Sequence, residues 1–223
     1  MTVLLVVLTV LVFLAIDIAV IGARDKKRSS AVGAQPVGLA LPVRIPEGIY
    51  FARTHTWMSL FPSGRMRLGV DDFVGRLLDT PSISYLKEPH QHVQKGEPIL
   101  LLKDGGHTLT VRAPMDGEIL DRNVKLTEEP NRLKESLFTD GWAYTIVPAR
   151  HSDIKQLLLG EETRRWLVGE FSRLRDVFAQ EKGANDLLPA LLQDGGPPLQ
   201  GALKYVLPEA WERFERAFLR DTV

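Results

Sequence analysis

Histidines in the middle of the chain are the first residues whose spacing could support chemistry. His90 and His92 are separated by one residue, and on a strand this spacing would point both imidazoles to one face, as two metal ligands require. The surrounding segment is polar, however, and no third ligand can be assigned from the sequence. We therefore predict solvated surface histidines and no metal site, with a His-based metal or ligand sensor as an alternative.

Patterns typical of enzymes are missing from the sequence. The chain has no cysteine, which excludes a thiol nucleophile, a disulfide and a cysteine-ligated iron–sulfur cluster. It contains no nucleophile-elbow, phosphate-loop or dinucleotide-binding glycine motif. The acidic pairs Asp71-Asp72, Glu128-Glu129 and Glu161-Glu162 are adjacent in sequence, so their side chains diverge as in helix caps or solvated faces. We predict a protein that is not an enzyme and has no cofactor.

The balance of charges indicates which class of partner the chain is expected to bind. The 28 Lys and Arg residues equal the 28 Asp and Glu residues, so no overall basic field draws the chain to nucleic acid. A hydrophobic content of 44% with 25% charged residues is typical of a folded chain. We therefore expect a globular protein with no nucleic-acid partner.

The N-terminal segment predicts a membrane anchor. Residues 2–21 form an apolar run interrupted only by two threonines and Asp17, and at 1.5 Å per residue it matches the roughly 30 Å core of a bilayer. Four basic residues between positions 24 and 28 follow it, which favours a cytoplasmic location for the rest of the chain. We predict a single-pass anchor over residues 1–24 in the cytoplasmic membrane, with the N-terminus outside, and a linker over residues 25–43.

Asp17 is unusual inside such an apolar run. It lies four residues before the end of the run, so it could reach the wetted interface. Alternatively, its carboxyl group could dock the anchor on a helix of a partner subunit. The sequence leaves both interpretations open, and we carry Asp17 as a candidate partner contact.

Short β-type segments dominate the middle of the chain and predict a compact all-β region. One short helix should begin after Asp71, whose carboxylate can cap it. The turn Asp104-Gly105-Gly106 separates two apolar segments and predicts a tight hairpin. The candidate strands are Gly48–Ala52, Thr56–Leu60, Met66–Val70, Ser82–Leu86, Pro98–Lys103, Thr108–Arg112, Gly117–Arg122 and Trp142–Val147.

Six motifs occur in this region in a fixed order: Pro46 with Tyr50, His55–Trp57, Gly69–Asp72, Val93–Pro98, Ala113–Ile119 and Gly141-Trp142. Their order and spacing resemble the glycine cleavage H-protein family. The resemblance implies a lipoyl-type β-barrel or hybrid sandwich over residues 44–168. It also implies a non-catalytic swinging-arm carrier, and a structural role for His55 in packing near Trp57.

The carrier lysine of that family has no counterpart at its expected position. Counting without gaps from Lys95 and from Ala113 places Gly106 on the lipoyl-lysine position. Glycine has no amine to acylate, so the resemblance implies a retained scaffold that has lost the attachment residue. Lys103 lies three residues earlier and leaves open a lipoyl-type carrier, or a binder of a lipoyl-like group, as the alternative function.

Residues 169–223 predict a helical C-terminal extension. Leu167, Phe171, Leu174 and Phe178 form one helical stripe, and that helix should end near Gly183. A second helix should begin at Pro208, with a stripe of Trp211, Phe214 and Phe218. These stripes either cover the β region or dock on another subunit.

Together, these features predict a mainly β, lipoyl-type domain between a transmembrane helix and helical extension. The predicted function is a non-catalytic accessory or scaffold subunit of a cytoplasmic-membrane complex, for example in respiratory or photosynthetic electron transfer. The expected partners are the lipid bilayer, through residues 2–21, and other subunits of the complex. The predicted subunit contacts are Asp17, His107, Trp211, Phe214 and Phe218.

Overall fold

A computed structural model of the chain describes residues 43–179 and 200–220. These residues belong to one compact unit that spans residues 41–223. The predicted anchor, Asp17 and most of the predicted linker lie outside the described residues. Within residues 43–179 and 200–220, each helix is too short or too polar to cross a bilayer.

In the part of the chain that the structure describes, nine strands form two antiparallel sheets, which confirms the prediction of a mainly β domain. The six-stranded sheet has the order β1-β2-β3-β9-β8-β5, and the three-stranded sheet has the order β4-β6-β7. The strands are β1 (Ile49–Ala52), β2 (Thr56–Leu60), β3 (Met66–Val70), β4 (Ser82–Tyr85), β5 (His92–Val93), β6 (Pro98–Asp104), β7 (His107–Arg112), β8 (Gly117–Arg122) and β9 (Tyr144–Pro148).

Alternating side chains explain most of these strands. In β7, Leu109 and Val111 are buried, whereas the alternate residues Thr108, Thr110 and Arg112 are more exposed, and this period of two is the strand signature used for the prediction. The strand β5 was not predicted, because it has only two residues and lies in a polar segment. Gly117 occurs in β8 for a different reason. A Cβ at this position would lie 2.6 Å from the Val147 carbonyl oxygen, which is too close, so only glycine lets the two strands approach.

Short helices close the ends of the sheets. The predicted helix is α1 (Asp72–Leu77), and Asp71 caps it as expected, with Oδ1 accepting a hydrogen bond from the Val74 N–H at 3.1 Å. Two further short helices, α2 (Lys125–Glu128) and α3 (Arg132–Glu135), lie in a segment for which no element was predicted. A 3₁₀ helix at His151–Gln156 leads to the last part of the domain.

The C-terminal helices complete the core of the domain. Helix α4 (Glu161–Ala179) runs across the predicted boundary at residue 168, and a 3₁₀ helix at Ala202–Tyr205 precedes α5 (Pro208–Phe214). Helix α5 begins at Pro208 as predicted and continues as a π-helical turn, Glu215–Leu219. The apolar stripe of α4 is buried in the same hydrophobic cluster as the sheet residues. The helices therefore fold back on the β region.

Candidate functional site

The β6–β7 hairpin holds the position where the sequence places the altered residue. Asp104 pairs with His107, and the two residues between them, Gly105 and Gly106, have φ of +56° and +87°. Two consecutive left-handed residues indicate a type I′ turn, which strongly prefers glycine. A Cβ built on Gly106 meets no atom within 4 Å. A side chain at position 106 would thus project into open space, and glycine supplies none.

The base of the turn is anchored by a buried carboxylate. Asp104 accepts hydrogen bonds from the backbone N–H groups of Asp79 at 2.6 Å and Thr80 at 3.2 Å. The preceding residue, Lys103, is exposed and pairs with Thr108 across the hairpin. The amine of Lys103 is therefore accessible, but it starts from the side of the hairpin and not from its apex.

The C-terminal extension covers one side of this hairpin. The His107 ring stacks on Trp211, with ring centroids 4.9 Å apart and planes inclined by 18°. The Trp211 indole N–H donates to the Leu203 carbonyl at 2.9 Å, which fixes the ring in place. Glu215 Oε2 accepts a hydrogen bond from the Thr110 N–H at 3.2 Å. The residue expected to meet a partner at the tip, His107, thus contacts its own chain.

The aromatic stripe of α5 lies inside the domain. Trp211, Phe214 and Phe218 are 3%, 0% and 1% exposed. Phe214 and Phe218 pack on Phe73 of α1, at centroid distances of 6.3 and 5.4 Å. This corrects the prediction that these three side chains bind another subunit, because burial against the chain's own core leaves them no surface to offer.

A buried charged cluster, which the sequence did not predict, lies beneath the extension. His55 is fully buried in the β1–β2 turn, and its Nδ1 is 2.8 Å from Asp71 Oδ2. Its Nε2 is 3.5 Å from Glu170 Oε2, a charge contact that lacks hydrogen-bond geometry. The imidazole stacks on Phe73 at 4.3 Å and contacts Trp166 at 4.8 Å. Trp57, its expected neighbour, packs on Phe138 instead.

The two carboxylates keep this histidine protonated. Burial by itself would lower the pKa of His55, but the charge of Asp71, its hydrogen bond and the nearby Glu170 together raise the pKa to about 9. Burial would raise the pKa of Glu170, but His55 and Arg173 outweigh it and hold that pKa below its ordinary value. The cluster is therefore a buried ion-paired network at neutral pH.

Arg173 links the buried cluster to the extension. Its Nη1 lies 2.8 Å from Glu170 Oε1, and its Nη2 donates to the Ala217 carbonyl oxygen at 2.7 Å. Its guanidinium carbon also sits 5.0 Å from the centre of the Phe218 ring. The β1–β2 turn, α4 and the π-helical turn are thus joined by one set of charges.

His90 and His92, the candidate metal ligands, both lie on the surface of the domain. His90 has an 82% exposed side chain and lies 3.6 Å from Glu118, whereas His92 is an exposed residue of β5. Across residues 43–179 and 200–220, no group of three or more His, Cys, Asp or Glu side chains could hold a metal ion. The described geometry gives the alternative of a His-based sensor no support.

The β region of this chain is similar to known proteins. A family model described as glycine cleavage H-protein matches residues 49–170. Glycine cleavage system H protein 2 of Aquifex aeolicus is 29% identical over 146 residues, which cover 63% of this chain and 88% of that protein. The H protein of Methylococcus capsulatus is 29% identical over 122 residues, covering 54% and 94%. The extension around Trp211 lies outside the region that the family model matches.

One solved structure is also similar to this chain. The crystal structure of a glycine cleavage system H protein from Mycobacterium marinum superimposes with a TM-score of 0.49 and 21% identity. The superposition covers 55% of this chain and 98% of that chain.

Proposed function

This chain belongs to the glycine cleavage H-protein family, and from that premise we propose that it is a non-lipoylated accessory or scaffold subunit of a membrane complex. One observation carries the proposal: Gly106 occupies the apex of the hairpin where the family resemblance places the carrier lysine. The apex has open space for a side chain and no amine to present. The carrier hairpin is thus retained as a fold element without its attachment group.

The contacts between the C-terminal extension and the hairpin support the same proposal. The stack of His107 on Trp211 and the bond from Thr110 to Glu215 seat the extension against β7. The added structure therefore contacts one side of the hairpin, next to the open apex. The alternative function, a lipoyl-type carrier, depends on Lys103, which is exposed on the side of the hairpin.

Intact-mass measurement of the native protein separates these two functions. We expect no lipoyl-sized adduct, because the apex lacks an amine and Lys103 lies three residues away from it. A Lys103→Arg variant, which keeps the charge but cannot be acylated, is the matched control. A lipoyl-sized adduct on the native chain that disappears in the variant would establish the carrier function instead.

The membrane part of the proposal rests on the apolar run at residues 2–21 and the basic residues that follow it. We place residues 44–223 on the cytoplasmic side of the cytoplasmic membrane, with Asp17 as a candidate contact to a partner helix. A respiratory or photosynthetic electron-transfer assembly is the proposed setting. Co-migrating subunits on a native gel of gently solubilised membranes would identify the complex.

Protease accessibility tests the orientation. Protease added to sealed, right-side-out cells should leave the domain intact, because the proposed topology places it inside. The same protease should digest exposed loops of the domain once the cells are permeabilised, which serves as the control for susceptibility. Cleavage within residues 44–223 in the sealed cells would reverse the orientation.

A further inference from the structure

A small cavity opens beside the β1–β2 turn, and the proposed scaffold function does not use it. Its volume is about 240 Å³, whereas a single water takes about 30 Å³ of the liquid, so the cavity has room for a small molecule. Three parts of the chain line it: residues 52–54 of the turn, Lys95 and Pro114 from the loops that precede β6 and β8, and residues 156–157 after the first 3₁₀ helix.

The lining of this cavity carries positive charge. Arg53 and Lys95 are exposed cations, and none of the described lining residues is acidic. Arg53 pairs with no carboxylate of residues 43–179 and 200–220. Asp116 contacts Lys95, but it accepts a hydrogen bond from the backbone N–H at 2.8 Å and also lies 3.6 Å from the Arg150 guanidinium. The cavity is therefore suited to an anion.

The β1–β2 turn also supplies hydrogen-bond donors at this place. The bond that closes the turn runs from the His55 N–H to the Ala52 carbonyl at 3.0 Å, so the N–H groups of Arg53 and Thr54 take no part in it. Thr54 is 4% exposed, and its hydroxyl has no hydrogen-bond partner among the described residues. Buried hydroxyl groups are usually hydrogen-bonded, because burial without a partner is costly. A ligand with acceptor oxygens would satisfy these donors.

The rest of the lining is mostly apolar, which narrows the class of ligand. Ala52, Pro114 and Leu157 are buried residues that border the cavity. An inorganic ion would leave their carbon atoms without a partner. An organic anion, in contrast, can place its oxygens near Arg53 and a short hydrocarbon chain against Pro114 and Leu157.

We propose that this cavity binds a small organic anion, a carboxylate or a phosphate monoester with a short apolar chain, through Arg53, Lys95 and the Thr54 hydroxyl. The planar guanidinium of Arg53 presents paired donors that match two oxygens of either group. The side-chain amide of Gln156 adds a further polar group to the lining. The site is independent of the scaffold function, since its residues belong neither to the apex of the hairpin nor to the C-terminal extension.

Thermal unfolding of the full chain in detergent tests the binding. A ligand that binds only the folded state raises the melting temperature in a saturable way. Butyrate and butyl phosphate are the probes, and sodium chloride at equal ionic strength is the reference. We expect a saturable increase with at least one probe and none with chloride, and the probe that responds identifies the anionic group. The absence of a saturable increase with both probes would overturn the proposal.

Matched variants locate the site. Arg53→Gln should weaken binding of the responding probe by about tenfold or more, because it removes a charge-assisted hydrogen bond. Lys155→Gln removes an exposed cation that does not line the cavity, and it should change the affinity by less than about twofold. Thr54→Val should also weaken binding, while the melting temperature of the unliganded chain stays the same or rises, since the hydroxyl has no described partner to lose. Equal affinities of the Arg53→Gln and Lys155→Gln chains would overturn the proposal.

Discussion

Phe214→Ala is expected to lower the free energy of unfolding of the whole domain by about 3–5 kcal/mol, the usual cost of removing a buried aromatic ring. Phe214 is fully buried and packs on Phe73 and Phe218, at centroid distances of 6.3 and 4.9 Å. Its removal leaves a cavity between the extension and α1. Urea unfolding of the full chain in detergent, followed by near-ultraviolet circular dichroism, measures the loss.

The matched control lies on the same extension. Tyr205 is 55% exposed, and Tyr205→Ala should change the free energy of unfolding by no more than about 0.5 kcal/mol. We expect one cooperative transition in each protein, because the extension and the sheets share a core. A Phe214→Ala protein in which only the extension melts early, while the sheets unfold at the wild-type urea concentration, would show that the extension is an independent unit.

The stability of the domain should fall as the pH rises from about 6.5 to about 9. The pKa of His55 is about 9 in the folded chain, against an ordinary value of 6.5. The folded state therefore binds this proton more tightly, so its contribution is complete below pH 6.5 and is lost as the pH passes through 9. The difference between 9 and 6.5 corresponds to a loss on the order of 3 kcal/mol. Urea unfolding at a series of pH values measures it.

His55→Asn isolates the residue responsible. Asparagine tolerates the left-handed backbone of position 55, where φ is +59°, so the substitution mainly removes the charge. The variant should be about 3–5 kcal/mol less stable at pH 6.5, since Asp71 and Glu170 lose their buried counter-charge. It should also lack the decline between pH 6.5 and 9. His90→Asn, at an exposed histidine, should retain the wild-type profile. A wild-type slope in His55→Asn would contradict the assignment.

The hairpin and its altered residue could be predicted from the sequence because the signals there are local. The Asp104-Gly105-Gly106 turn, between two apolar segments, has a composition that favours a tight hairpin, and the interval from Lys95 fixes the position of Gly106. The start of α5 could be predicted from an equally local signal, because Pro208 lies in the first turn of the helix.

The buried cluster could not be predicted in the same way, because its three members are far apart in sequence. The sequence predicts Asp71 as a helix cap, and it does cap α1 through Oδ1, but its Oδ2 pairs with His55. A signal for Glu170 was present: it lies three residues after Leu167 and four before Leu174, on the apolar face of α4. A carboxylate on such a face needs a buried partner.

The aromatic stripe of α5 could be predicted from the sequence, but the surface that it contacts could not. The sequence indicates that Trp211, Phe214 and Phe218 share one helical face, and it cannot say whether that face meets the same chain or another one. The structure decides this through Phe73, which lies 138 to 145 residues away from these three side chains along the chain and meets two of them directly.

That separation has a consequence for biosynthesis. Phe73 and His55 emerge from the ribosome early, whereas the rings that cover them are translated well over a hundred residues later. During translation the β region therefore stays incompletely folded, with part of its apolar interior exposed. In the same period the proposed anchor is being inserted into the bilayer. Such an interval favours binding by chaperones until the residues around Phe218 have been translated.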